Sequence, residues 1–253
     1  PWFGLFGSKS GFDHLEECFL DMAPQIHAIE TGLSSDPAMN WNIQGLGDRS
    51  IVSFSDAHSA PKLGRELTVF DGDLGYGELA DALRHRRVAY SVEFYPEEGK
   101  YHHSGHRKCG VSHSPEDTAR IGQRCPVCNR PLTLGVLHRI SGLSDGEESS
   151  HRDAGGFVQN QEGFPPFIRL VPLIEVIAET MGLGPASKRV EREYSRIIGE
   201  LESELNVLAW AGEADLVTVA GETLARNILK ARVGEVMVEP GYDGLYGKVS
   251  VAG

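Results

Sequence analysis

The sequence predicts an α/β protein. It would open with the closing units of an α/β barrel or doubly wound sheet, continue through a zinc-ribbon-like segment and end in a mainly helical part. Three observations lead there. Two short apolar runs, Ile26 to Ile29 and Ile51 to Phe54, are each followed by acidic residues, as strands are when functional groups gather at their carboxyl ends. One histidine and three cysteines form two pairs of ligand spacing between His106 and Cys128. Amphipathic runs of helical period crowd the last third.

Taken in order, Phe12 to Leu20 puts Phe12, Leu15, Phe19 and Leu20 on one helical face, with Asp13 in cap position and Cys18 as a core thiol. Ile26 to Ile29 and Ile51 to Phe54 read as buried strands, joined by a loop from Pro37 to Gly47 with at most one helical turn. Gly77 to Arg87 reads as a helix and Val88 to Phe94 as a strand. Ser144 to Pro166 is rich in Gly, Ser, Asp and Glu without periodicity and reads as a mobile linker or surface excursion. Leu173 to Met181, Lys188 to Leu205 and Glu222 to Ala231 read as helices. The first two are separated by the stop and start signal Gly182-Leu183-Gly184-Pro185. A strand at Glu235 to Val238 precedes the turn Pro240-Gly241-Tyr242-Asp243-Gly244. The expected division is 1–75 for the α/β part, 76–142 for the metal-binding segment, 143–166 for a linker and 167–253 for a helical domain.

The net charge of −12 argues against wholesale phosphate binding. Its distribution is uneven, because residues 77–142 hold ten Lys/Arg against seven acids. That basic island is either a local phosphate contact or a solvated surface. No apolar run reaches the ~18 residues of a membrane span and no leader opens the chain, so a cytoplasmic protein without membrane contact is expected. The first residue is Pro1, and a fragment or processed product is expected. Oligomeric state is not legible.

Asp56-Ala57-His58 places a hard carboxylate and an imidazole two apart, where an extended segment would aim both at one metal ion. Such an ion makes a nucleophile from water. A solvated turn after a strand would equally favour Asp and Ser here. His106 and Cys109, then Cys125 and Cys128, have the spacing of two knuckles closing a tetrahedral structural zinc site, with His113, His102 or His103 as rivals to His106. Gly4 to Ser10 lacks the Gly before Lys9 that a nucleotide-binding P-loop needs, yet Ser8 and Lys9 can present a phosphate contact. Glu30 and Asp36 flank a strand end and can bind metal or substrate, although Asp36-Pro37 is also a turn former. No Gly-x-Ser-x-Gly elbow appears, which disfavours covalent catalysis.

Several longer motifs carry a resemblance. Trp2 to Asp13, Glu30 to Pro37, Ser55 to Ser59, Pro96 to His102, Gly105 to Val111, Cys125 to Cys128 and Pro240 to Gly244 together resemble endonuclease Q along nearly the whole chain. The resemblance implies the C-terminal portion of a PHP-type (polymerase and histidinol phosphatase) distorted (β/α)7 barrel, then the zinc segment and the helical part. It implies a DNA-repair endonuclease that hydrolyses the phosphodiester 5′ of deaminated bases (uracil, hypoxanthine) or abasic sites. Catalytic divalent metals (Zn, Mn or Mg) and a structural Zn go with it. Asp56 and His58 then look like the last metal-binding motif of the PHP domain, and Cys109, Cys125, Cys128 and His106 like the zinc site. Ser8, Lys9, Glu30 and Asp36 are expected on the substrate side. The resemblance also implies an N-terminal truncation that removes other ligands, so the fragment is expected to be inactive by itself. The alternatives are a PHP-type phosphoesterase for small monoesters and a non-catalytic zinc-ribbon module that binds nucleic acid.

Overall fold

The computed structural model describes residues 2–72, 75–144, 146, 150–160 and 163–251. The N-terminal loop folds on itself before the first helix, α1 (Leu15–Phe19), which continues as a 3-10 turn over Leu20–Gln25. Strand β1 (Ala28–Glu30), helix α2 (Pro37–Trp41) and strand β2 (Ser50–Val52) follow, and β1 pairs parallel with β2 in the register Glu30 to Val52. Helix α2, five residues long, lies in the stretch expected to be loop with at most one helical turn, where Asp36 caps it and Pro37 sits at its first turn. The apolar face expected from Phe12 to Leu20 is only partly used. Leu15 is buried, Cys18 is half-buried, Leu20 is exposed, and the cap position is taken by His14 rather than Asp13.

Beyond them come β3 (Leu67–Val69), α3 (Tyr76–Arg84), β4 (Tyr90–Glu93), β5 (Ser104–His106) and β6 (Val111–His113), then α4 (Pro115–Ile121) and α5 (Val136–Leu143). Strands β7 (Ser150–Arg152), β8 (Phe157–Asn160) and β9 (Phe167–Arg169) lead to α6 (Leu173–Thr180), α7 (Lys188–Glu200), α8 (Glu213–Ala220) and α9 (Glu222–Arg232). A π-helical turn at Asn206–Trp210 separates α7 from α8, and the hairpin of β10 (Met237–Glu239) and β11 (Lys248–Ser250) closes the chain.

The central feature is a five-stranded mixed sheet of order β3-β4-β9-β8-β7, in which β4 and β9 are parallel. This corrects the expectation of a linker over 143–166, whose residues 145, 147–149 and 161–162 lie outside the described residues. Strands β7 and β8 form a hairpin there. Asp153 makes its turn by accepting the N–H groups of Gly155 and Phe157, both at 2.9 Å. A Cβ at Gly156 would strike the carbonyl of Arg232, so only glycine lets the hairpin seat on α9. The sheet also runs across each boundary expected from the sequence.

The largest core lies between this sheet and the C-terminal helices, around Val92, Ile168, Leu173, Val176, Ile177, Ile197, Leu216 and Ile228, each 2% exposed or less. A second cluster joins Trp41 and Ile51 to Val158, Phe164 and Phe167, fastening the β1/β2 unit to the sheet. Among the described residues no helix is long and apolar enough to cross a membrane.

Candidate functional site

The His/Cys pairs converge. His106 ends β5, a 3-10 turn carries Cys109, and Gly110 adopts a left-handed φ of 65° that folds β6 back antiparallel to β5. The second knuckle is closed by Cys125 N–H to the Arg130 carbonyl and Asn129 N–H to the Cys125 carbonyl, both 2.8 Å, with Asn129 at φ 60°. One ligand atom from each of His106, Cys109, Cys125 and Cys128 lies within 4.8 Å of all the others, a donor set that can hold a metal ion. His106 Nδ1 stands 3.3 Å from Cys128 Sγ. Against the effect of burial, the N–H groups of Cys128 and Val127 and the His106 ring pull the Cys125 thiol down to about 6. Burial and the neighbouring thiols push Cys109 up to about 11.

The rival fourth ligands lie outside the cluster. His113 and His102 are buried outside the cluster, and His103 Nδ1 lies 3.2 Å from Ser112 Oγ. Burial, with His103 beside it, lowers His102 to about 4, so it stays neutral.

Asp56 and His58 sit in the loop after β2, four and six positions past its end at Val52, and not on the strand itself. Their side chains are largely exposed, with His58 Nδ1 3.9 Å from Asp56 Oδ1 and 2.8 Å from the Asp56 carbonyl. Asp56 takes a left-handed φ of 45°, the sort of uncommon backbone that is found at functional loops. Glu30 ends β1 opposite Val52, the last residue of the parallel β2, so Glu30 and the loop that carries Asp56 leave the same strand ends and share one rim, and burial and the Asp56 charge raise the Glu30 carboxyl. Among the described residues the only group of three or more metal-ligating side chains this close together is the His/Cys one.

Other expected contacts fare differently. Asp36 is fully buried. Its Oδ1 accepts Met39 N–H at 3.0 Å and its Oδ2 pairs with Arg169, whose Nε donates at 2.8 Å. Both oxygens are therefore spent on a helix cap and an ion pair, which corrects its expected place among substrate contacts. In the N-terminal loop, Gly7 N–H, Lys9 N–H and Gly11 N–H bond to the carbonyls of Gly4, Trp2 and Gly7. Those amides are not free to cradle a phosphate. Lys9 remains exposed, while Ser8 Oγ is buried without a partner.

A group of acids behind this rim escaped the sequence reading. Glu66 and Glu93 are 2% and 0% exposed. Glu93 Oε1 accepts from Ser53 Oγ at 2.5 Å and from Ser91 Oγ, and Glu66 Oε1 accepts Phe94 N–H at 3.3 Å. The second oxygen of each has no partner. Burial raises Glu66 to about 8 and lifts Glu93 well above the carboxylate range, Glu66 adding to the rise of Glu93. Glu97 and Glu98, just past β4, are raised by burial as well, Glu98 to about 8. The one signal that could have found them is position, since Glu93 stands at the carboxyl end of a strand.

Comparison with known proteins gives this geometry a context. The family model described as the MJ0043 C-terminal domain matches residues 172–235, the stretch from α6 through α9. Uncharacterized protein MJ0043 of Methanocaldococcus jannaschii is 31% identical over 99% of this chain and 31% of its own length. Uncharacterized protein YqxK of Bacillus subtilis is 29% identical over 88% of the chain and 52% of its own length. The crystal structure of the lesion-specific endonuclease PfuEndoQ from Pyrococcus furiosus superposes with a TM-score of 0.81 at 27% identity, covering 97% of this chain and 60% of that one. Endonuclease Q in complex with a 27-mer duplex substrate bearing an abasic lesion at the active site gives 0.76 at 28% identity, over 95% and 59%. The chain thus spans less than two thirds of the length of each of these proteins. In sequence and in fold, over all but a few percent of its length, the chain is similar to endonuclease Q.

Proposed function

We propose that this chain forms part of a metal-dependent DNA-repair endonuclease that hydrolyses the phosphodiester 5′ of a deaminated base or abasic site. The observation that carries the reading is the similarity to PfuEndoQ over 97% of the chain at a TM-score of 0.81. The β1/β2 unit within residues 1–75 then serves as the closing part of a PHP-type barrel. Beyond β4, the rest of residues 76–142 acts as a zinc-ribbon-like segment with a structural zinc on His106, Cys109, Cys125 and Cys128, and beyond β9 the rest of residues 167–253 acts as the helical domain that backs the sheet. Four protein ligands leave no open position, so that zinc holds the segment in shape. Asp56 and His58 serve as metal ligands at the scissile phosphate. Bound divalent ions supply Lewis acidity there. Glu30 lines the same rim, exposed Lys9 is the phosphate-side candidate in place of Ser8, whose hydroxyl is buried, and exposed Lys and Arg of the metal segment follow the DNA backbone. The lesion nucleotide is read outside the base stack. The protein acts in the cytoplasm, without membrane contact.

The test is nicking of an end-labelled duplex carrying one abasic site or one deoxyuridine, with Mn or Mg, using the protein in its full natural length. The expected result is a nick 5′ of the lesion that disappears in Asp56→Ala while zinc content stays the same. Tight duplex binding without a nick would overturn the enzyme reading in favour of a binding module. Release of inorganic phosphate from a model monoester, with no nick, would favour a small-molecule phosphoesterase.

A further inference from the structure

The turn between β10 and β11 is tied down more thoroughly than a surface hairpin needs. Tyr242 and Leu245 exchange two backbone hydrogen bonds of 3.0 and 2.9 Å across Asp243 and Gly244, both at positive φ (42° and 87°), the geometry of a tight two-residue hairpin loop. Gly241, Gly244 and Gly247 then donate their N–H groups to the carbonyls of Glu97, Lys100 and Glu98 at 2.8, 2.8 and 3.0 Å. The Asp243 carboxylate accepts Arg107 N–H at 2.7 Å and Thr133 Oγ at 2.6 Å, which fastens the turn to the metal-binding segment. A Cβ at Gly247 would run into the Glu97 carbonyl, and one at Gly241 into the Gly99 carbonyl, so the backbone lies flush against its support.

On this rigid mount the side chains of Leu245 and Tyr246 point outward. Tyr246 is 77% exposed, and packing against the protein does not account for it. Lys100 Nζ lies 5.6 Å from the Tyr246 ring centre and 5.8 Å from that of Tyr101, which stacks on Trp2 with centroids 4.0 Å apart. Residues 100–108 hold three exposed cations, Lys100, Arg107 and Lys108, and no acid, in a chain of net charge −12. An aromatic on a tied-down backbone has only two side-chain torsions to order on contact, a flat ring accepts any base by stacking, and cations beside it match a phosphate backbone. We propose that Tyr246, with Leu245 beside it, is a stacking wedge that enters nucleic acid where a base step is opened, while Lys100 and Arg107 hold the flanking phosphates. This rests on the DNA-binding reading above and adds to it the surface that senses a gap in the stack.

The test measures binding of this chain to a fluorescent duplex with 2-aminopurine beside one abasic site, and to the intact duplex. Tyr246→Ala is expected to weaken abasic-duplex binding about tenfold and to suppress the 2-aminopurine signal, while Tyr246→Phe stays within about twofold. Lys100→Ala is expected to weaken both duplexes alike and lower the salt slope by about one. Wild-type binding with an unchanged Tyr246→Ala would overturn the wedge and leave the DNA reading standing. Equal loss in Tyr246→Phe would overturn stacking as the mode. Self-association that disappears in Tyr246→Ala, with DNA binding intact, would overturn the wedge by assigning the tip to a second copy of the chain. A wild-type chain that binds neither duplex would overturn the wedge together with the reading beneath it.

Discussion

Replacing Glu66 with Gln should stabilise the protein, and only above the ordinary carboxylate range. Glu66 is 2% exposed, has one oxygen on Phe94 N–H at 3.3 Å and the other without a partner. Burial dominates and, with Glu30 and Asp36 adding to it against Phe94 N–H and Arg65, raises the group from 4.5 to about 8. Between those values the folded state keeps a proton that the unfolded state has released, so stability falls as pH rises through this window. At about 1.4 kcal/mol per pKa unit the full gap corresponds to about 4–5 kcal/mol, and local relaxation trims the expected difference to about 3–4 kcal/mol. Gln keeps an acceptor for Phe94 N–H and cannot ionise. It also removes the charge that adds to the rise of Glu93. Urea unfolding of wild type and variant at pH 5, 6, 7 and 8 should show little difference at pH 5 and the full gain at pH 8. A variant no more stable than wild type at pH 8, or a gain independent of pH, would refute the reasoning.

Asp36→Ala should destabilise by about 3–5 kcal/mol, because it strands the Arg169 guanidinium, only 20% exposed, and uncaps α2. Chemical unfolding measures it, and a loss under about 1 kcal/mol would mean that water solvates Arg169 in place of the carboxylate. Cys125→Ser, or chelation, should remove the bound metal ion and loosen residues 104–134, read as lost metal stoichiometry and faster amide exchange there. The β4/β9 core should keep its protection, since Val92, Ile168 and Ile177 pack away from the cluster.

The His/Cys cluster was legible because its information is local. Two short knuckles fix each pair, and spacing alone says that the pairs can meet. Strands β1, β2 and β4 and helices α6, α7 and α9 were legible for a similar reason, their apolar period being written within one element. Element ends were less so. The strand expected to carry Asp56 stops at Val52, which moves Asp56 and His58 onto a loop.

The hairpin at 150–160 shows why composition misleads. Its Gly, Ser and Asp are turn and docking residues, and its strands are recognisable only once β9 and α9 are there to receive them. The two faces of Asp36 make the same point. Its place before Pro37 announced a turn, but the buried partner, Arg169, lies 133 positions away. The raised carboxyls of Glu66 and Glu93 depend on burial and on neighbours from separate strands. By itself, then, the sequence determined the α/β class, the last helices, the two His/Cys pairs that together can hold a metal ion and the turn at Asp243-Gly244, because each is written in patterns a few residues long. Only the tertiary structure decided which carboxylates are buried, which are spent on structure and which stand exposed, because desolvation and charge pairing are set by groups that the chain brings together from afar.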